Sequence, residues 1–442
     1  MRPPLALGLL VVAVGTFACR VGEPTSLLPP ISKQIEVREG WIAERHGQLL
    51  GMMRHHGVGM LVVVSEEFHP DPIAEFLVTP RPLVGNREFF VFIDGGGEGL
   101  VRVALTWDEE SLARLFPSVG NPREAKSLLA ELVARWKPAT IALSIGGRRG
   151  VGRTLTHDAY LLIAEALGSE TMARVVPAEP LLEEILDTRL PGERTYFAAL
   201  LQLTDALARR ALSAEVITPG LSTVGDVRRW LIDEAEAHHA AVWFQPDVRV
   251  QRRGRPLATS GDFPAVASES VVIERGDLIH LDFGLVAMGL STDWQKMAYV
   301  LRPGESEPPA GLRLGLANTN VLQGALCAAA RPGRAAGEVH EAAMAEMTAR
   351  GIAAMIYSHA LGNHGHALGP TIDFRASRRA DLDSRAATLR AGSYLAVELS
   401  TRLAVEEWGG QEVFFGEEDP AWLAEDGYRF FRPIQDSFYL IR

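Results

Sequence analysis

The chain has 442 residues, with 44 basic and 55 acidic side chains and a net charge of −11. Hydrophobic residues make up 47% and charged residues 22%, enough apolar surface to offset chain entropy and exclude global disorder. The acidic balance speaks against nucleic acid as a partner. Beyond the N-terminus no stretch reaches the ~18 uninterrupted apolar residues of a membrane span, which excludes a polytopic membrane protein.

Residues 1–19, MRPPLALGLLVVAVGTFAC, place Arg2 before an apolar run from Leu5 to Ala18. That run is short for a bilayer and has the form of a secretory signal peptide, so the expectation is export, to the periplasm or cell envelope or as a secreted protein. Cys19 stands where a lipoprotein signal places its acylated cysteine, the one expected membrane attachment; the alternative is an ordinary signal with an incidental cysteine. Residues 20–35, with Pro24, Pro29 and Pro30, read as a tether. Cys327, in the apolar stretch ALCAAA, is expected to be a buried, inert thiol, and a single remaining thiol permits no intrachain disulfide framework.

Residues 36–188 alternate helical and strand patterns. A helix is predicted over 37–57, then a strand over 58–65 whose continuous β-branched run suits burial on both faces. Segments 87–94 and 100–107 flank a glycine-rich turn and read as a hairpin. A helix at 124–136, a strand at 140–145, a helix at 157–168 and a strand at 173–178 complete an α/β domain. GGRRGVG (146–152) lacks the Lys-Ser/Thr ending of a phosphate loop and reads as a connection. RLPGER (189–194) breaks the pattern, so a second domain is placed at 189–442. It opens with helices at 193–214 and about 222–240, with Ser222 as N-cap of the latter. Strand-rich sequence (242–302), helices (311–330, 336–350) and a strand-rich C-terminus follow. Runs of helices between runs of strands predict an α+β domain.

The most informative stretch is GDLIHLDFGLVAMGLSTDWQKMAYVL (276–301), which reads as two strands about a turn at Ala287–Gly289. Alternation sets His280 and Asp282 on one face, and the turn brings Asp293 opposite or nearly opposite Asp282. Two ionised carboxylates so close repel, and desolvation adds to the penalty. A divalent cation compensates most simply; a shared proton, or one Asp turned to solvent, are the alternatives. Further along stand His359, His364 and His366, then Glu398 mid-strand, then Glu417 and Glu418. The order Asp, Asp, His, Glu, Glu, without sulfur, suits Mn²⁺, Co²⁺, Fe²⁺ or Zn²⁺, and two ions sharing carboxylates.

These motifs resemble the pita-bread metallopeptidase family, which includes methionine aminopeptidase, aminopeptidase P and prolidase, with creatinase as a metal-free relative. Asp282-Phe283-Gly284 with Asp293 eleven residues on matches the first signature, and His366-Ala367-Leu368-Gly369 the His-x-Ile/Leu-Gly motif. Glu398 in AVELS and Glu418-Asp419 match the two glutamates, with Glu417 a one-residue alternative. The resemblance implies a C-terminal pita-bread fold preceded by a smaller α/β domain like that of creatinase, in the two-domain aminopeptidase P and prolidase branch. It implies two divalent metal ions (Mn, Co, Zn or Fe) held by Asp282, Asp293, His366, Glu398 and Glu418, and a bridging hydroxide as nucleophile. Glu398 is expected to shuttle the proton and His364 to serve the oxyanion or leaving group. The implied substrate is a peptide with an Xaa-Pro bond, and the implied assembly a homo-oligomer.

The chain also departs from the family's pattern. Asp373 stands where a His usually follows the ligand His by seven residues, Gly362 where one precedes it by four, and Ala265 where one precedes the first Asp by about seventeen. Gln295-Lys296 replaces the usual Thr-Arg. His364, His359, His280 and Asp373 are candidates for the missing groups, although structural hydrogen bonds are the expected roles of His359 and His280. Two rival readings stand beside the peptidase: a hydrolase or lyase for a small non-peptide substrate, and a non-catalytic binding protein that kept the fold.

Overall fold

In the computed structural model, which describes residues 28–81, 86–107, 109–147, 149–373 and 386–442, two mixed β-sheets organise the chain. The signal peptide at 1–19, Cys19 and residues 20–27 of the tether lie outside the described residues. Among those described, no helix is long and apolar enough to cross a membrane.

The first sheet contains β1 (Met60–Glu66), β2 (Arg87–Asp94), β3 (Leu100–Leu105), β4 (Ser118–Gly120), β5 (Ile141–Leu143) and β6 (Val175–Pro177), in the order β4-β3-β2-β1-β5-β6. Its central strand, β1, is apolar on both faces because both are covered. Leu61 and Val63 pack with Phe90, Phe92 and, from the long helix Ile31–His55, Leu49 and Met53. Met60, Val62 and Val64 face the opposite way, against Leu129 and Ile163 from the helices Ala125–Trp136 and His157–Met172. The helix Ile31–His55 starts five residues before position 36, so residues 31–35, assigned to the tether on composition, are its first turn. Gln34 holds that turn in place: its amide donates to Pro29 O (2.9 Å) and accepts from Met288 N (3.2 Å) in the second domain.

The helices Pro191–Ala211 and Val224–Ala237 open the second half. Thr223, one residue beyond the expected Ser222, is the N-cap. Its hydroxyl accepts from Asp226 N while the Asp226 carboxylate accepts from Thr223 N, a reciprocal capping box that serine at 222 cannot form from its position. The strands that follow are β7 (Ala241–Val242), β8 (Asp247–Gln251), β9 (Thr259–Ser260), β10 (Phe263–Pro264), β11 (Leu278–Asp282), β12 (Leu285–Ala287), β13 (Leu290–Ser291), β14 (Gln295–Val300), β15 (Ala353–Leu361), β16 (Ile372–Asp373), β17 (Tyr394–Val405) and β18 (Gln411–Ala424). The main sheet runs β16-β15-β17-β18-β14-β11-β8. The helices Ala310–Ala329 and Ala336–Ala349 cover one face, where Leu322, Leu326 and Val339 pack on Val397, Leu399 and Leu423. Cys327 lies in this layer, buried and free, and burial raises its thiol pKa far above the ordinary value, as suits an inert group.

The two halves are locked at residues 185–193. Buried Arg45 donates to Ile185 O (2.7 Å) and pairs with buried Glu193. Leu368, from the loop after β15, joins the core of the first domain. That loop is therefore held from both sides.

Candidate metal centre

The site begins in the hairpin. Ala287 pairs with Leu290 across a two-residue turn, and the same register carries through to Asp282 opposite Gln295. Asp293 is thus two residues from the partner of Asp282, a diagonal neighbour on the same face, and eleven residues is the separation this register produces. Between them Gly284 is required by close approach. A Cβ there would stand 2.1 Å from Trp243 Nε1, which donates to Thr292 O (2.7 Å).

The glutamates arrive from the adjoining strands. Glu398 of β17 pairs with Glu418 of β18, and Glu418 pairs in turn with Gln295 of β14. Alternation then settles which of the two neighbouring glutamates faces the aspartates. Glu417 and Asp419 point to the other face, where both pair with Lys296. Glu418 points to the hairpin carboxylates: Asp282, Asp293 and Glu418 bring ligand atoms within 4.8 Å of one another, and so do His359, Glu398 and Glu418.

The imidazole inside this group is that of His359. Its Nε2 is 3.4 Å from Glu418 Oε1, 3.6 Å from Asp293 Oδ2 and 3.6 Å from Glu398 Oε2. Its Nδ1 lies 3.1 Å from Ala360 O, and since a carbonyl only accepts, Nδ1 carries the proton. The Nε2 lone pair is then aimed at three carboxylates, an arrangement that a bound cation resolves. His366, the sequence-based choice of ligand, lies at the rim. It is exposed, edge-on to His359 (4.6 Å between ring centroids) and to Trp243 (5.3 Å), and groups with Asp293 and His359. His364 stands against Phe76 of the first domain, its ring centroid 5.5 Å away. The structure does not gather it with the carboxylates. Asp373 ends β16, paired with Tyr357. His280 lies beneath the site, with Nε2 2.9 Å from Gln295 Oε1, which agrees with its expected structural role.

The sequence sets His359 beside His366 as a second match to the same motif. The tetrapeptide His-Ala-Leu-Gly occurs twice, at 359–362 and 366–369. The second copy has the expected motif, but the first lies on a strand of the sheet that carries the carboxylates. Counted from His359, the residue seven positions on is His366; counted from His366, it is Asp373.

Burial makes this cluster unstable when all its carboxylates are ionised. Asp282 is pushed up to about 7 by burial and by the Asp247 carboxylate beside it, against the pull of Arg249. Asp293 is raised well above its ordinary value by burial and then by Asp282 and Glu398, against a hydrogen bond with Glu418, and Glu418 by burial and then by Asp293, Glu398 and Asp282. Asp282 Oδ1 and Glu418 Oε1 are buried without a hydrogen-bond partner. Oxygens left bare beside an imidazole lone pair fit a borderline-hard divalent ion.

Residues 199–418 match the model of metallopeptidase family M24. No curated protein sequence matches the chain. Among solved structures, an X-Pro aminopeptidase from Thermotoga maritima is similar over 88% of this chain and 99% of its own, with 15% identity and a TM-score of 0.65. An Xaa-Pro dipeptidase from Bacillus anthracis is similar over 91% of this chain and 100% of its own, with 18% identity and a TM-score of 0.66. A prolidase from Thermococcus sibiricus covers 91% and 99%, with 15% identity and a TM-score of 0.62. At these identities the likeness is one of fold, and it agrees with the α+β pita-bread architecture expected from the motifs.

Proposed function

From the premise that residues 199–418 belong to metallopeptidase family M24, we propose that this chain is a divalent-metal-dependent peptidase acting on bonds beside proline, as an Xaa-Pro aminopeptidase or dipeptidase. The observation that carries the reading is the convergence of Asp282, Asp293, Glu398 and Glu418 on His359 Nε2. We assign these five as the ligands, with His359 in the place given to His366 on motif alone. Divalent ions held there supply Lewis acidity, making a water acidic near neutral pH and polarising the scissile carbonyl. Glu398, the less buried of the two glutamates, is the assigned proton carrier between water and leaving amine. His366, exposed at the rim, takes the oxyanion or leaving-group role first given to His364. An imide bond to proline has no N–H, so the shape of the pocket must contribute to selection. Residues 1–19 are proposed to direct export, with Cys19 as the lipid attachment point.

The test is an assay of the full chain, stripped and reloaded with Mn²⁺, Co²⁺ or Zn²⁺, against Xaa-Pro dipeptides and longer Xaa-Pro peptides. The expected result is cleavage at the Xaa-Pro bond, abolished together with metal uptake at these five ligands in Asp293→Asn. A metal-loaded chain that cleaves none of these peptides would overturn the peptidase reading. Gln295-Lys296, in place of the family's usual Thr-Arg, favours a second reading, a small-molecule hydrolase or lyase, in that event.

A further inference from the structure

Away from the carboxylates of the main sheet, a separate group of ligand atoms converges where the first long helix ends. Consecutive residues of a continuing helix do not face each other. His55 is the last residue of the helix Ile31–His55, and the backbone leaves the helix at His56 (φ −90°, ψ 4°). Their two rings lie together, with centroids 4.8 Å apart.

Both rings face one oxygen. Glu184, on the helix Glu179–Asp187, presents Oε2 to His55 Nδ1 at 2.8 Å and to His56 Nε2 at 2.6 Å. The other oxygen, Oε1, lies 3.8 Å from Arg390 Nη1, and Arg390 is held in turn by Asp187, with its Nε 3.3 Å from Asp187 Oδ2. A guanidinium from the second domain thus orients the carboxylate and leaves Oε2 to the imidazoles, as outer partners orient a metal-ligating carboxylate. The three ligand atoms lie within 4.8 Å of one another. Around an ion ~2.0–2.1 Å from each atom, tetrahedral ligands stand roughly 3.3 Å apart, so the atoms need open by only about half an ångström. His55 is exposed, which gives its ring room to move and leaves the remaining coordination positions to water. Each neutral ring need only shift its proton to the far nitrogen. A cation also suits the negative end of the helix dipole.

We propose that His55, His56 and Glu184 form a divalent-metal site, suited to Zn²⁺, Cu²⁺ or Ni²⁺, that pins the end of the first helix to the helix Glu179–Asp187. Two imidazoles with a single carboxylate hold these late first-row ions more tightly than Mn²⁺, in contrast to the carboxylate-rich centre of the main sheet.

The site does not depend on the peptidase reading. The stripped full chain is dialysed to equilibrium against Zn²⁺ or Mn²⁺, and bound ion is counted by elemental analysis. The wild type is expected to hold one Zn²⁺ per chain more than the double variant His55→Ala/His56→Ala, with no difference between the two in Mn²⁺. Glu184→Gln, which keeps an oxygen for the rings but loses the charge, is expected to weaken that Zn²⁺ at least about tenfold. Equal Zn²⁺ counts in the wild type and the double variant, or Zn²⁺ held as tightly by Glu184→Gln as by the wild type, would overturn the site and leave a hydrogen-bonded helix end.

Discussion

Strand β18 carries buried acids on both faces, and the two faces are neutralised differently. On one, Lys296 Nζ lies 2.7 Å from Asp419 Oδ1 and 3.1 Å from Glu417 Oε2, and Gln323 donates to the remaining Asp419 oxygen at 2.9 Å. Burial alone would depress the Lys296 ammonium, but Asp419 and Glu417 hold it above its ordinary value. On the other face, among the described residues, Asp282, Asp293 and Glu418 form no salt bridge with a lysine or arginine; His359 and Gln295 present their side-chain nitrogens to them. A single residue step along β18 separates Glu417 and Asp419, which share Lys296, from Glu418, which faces the proposed metal centre. The first face is neutralised within the fold, and the second is the face proposed to take a removable ion.

The largest expected effect breaks the self-neutralised face. Lys296→Met leaves Glu417 and Asp419 buried without their cation and is expected to destabilise the fold by about 3–5 kcal/mol, read from urea unfolding. Added Mn²⁺ should raise the stability of variant and wild type alike and leave that gap open. Closure of the gap by metal would mean that the two faces are not independent.

Metal removal sharpens the same contrast on the second face. Because the Asp282 carboxyl is raised from 3.8 to about 7 in the folded, metal-free chain, the folded state holds a proton that the unfolded chain releases. That contribution is full below about pH 4 and is lost as pH rises through about 7; Asp293 and Glu418 shift in the same direction. The Tm of the chelated protein relative to the loaded one should therefore fall between pH 5 and pH 8. A gap that does not change with pH would argue against the cluster as its source.

The two histidines should separate next. His359→Ala is expected to weaken metal binding by at least about 100-fold, by loss of a first ligand and its lone pair, whereas His366→Ala should bind metal nearly as well and lose turnover. Elemental analysis beside the peptide assay reads both. The smallest effect concerns the scaffold of the hairpin. Gly284→Ala sets a methyl 2.1 Å from Trp243 Nε1 and should cost about 1–3 kcal/mol by overpacking. Measured stability equal to the wild type would show that the indole can move aside.

Much of this arrangement was legible in the sequence because it follows from alternation. The hairpin turn at Ala287–Gly289 and the shared face of Asp282 and Asp293 reduce to which side of a pleated strand a residue occupies, whereas the choice between Glu417 and Glu418 stayed open until the register of β18 against β17 and β14 was known. The histidine was harder. His359, His364 and His366 lie within eight positions, two of them in identical tetrapeptides, and the choice depends on where β15 ends, which no local pattern marks. Gln295 was visible as a departure from a family pattern, and His280 as a candidate for the groups that pattern lacks. Their hydrogen bond to one another, and the reach of the amide into the acids, depend on rotamers that spacing does not encode.

The most direct test of the central claim is anomalous diffraction from crystals of the full chain grown with Mn²⁺ or Zn²⁺. The account expects a peak within about 2.0–2.3 Å of His359 Nε2 and in contact with oxygens of Asp293, Glu398 and Glu418. A peak bound only elsewhere, or these atoms closed on one another with no ion between them in metal-saturated crystals, would contradict it.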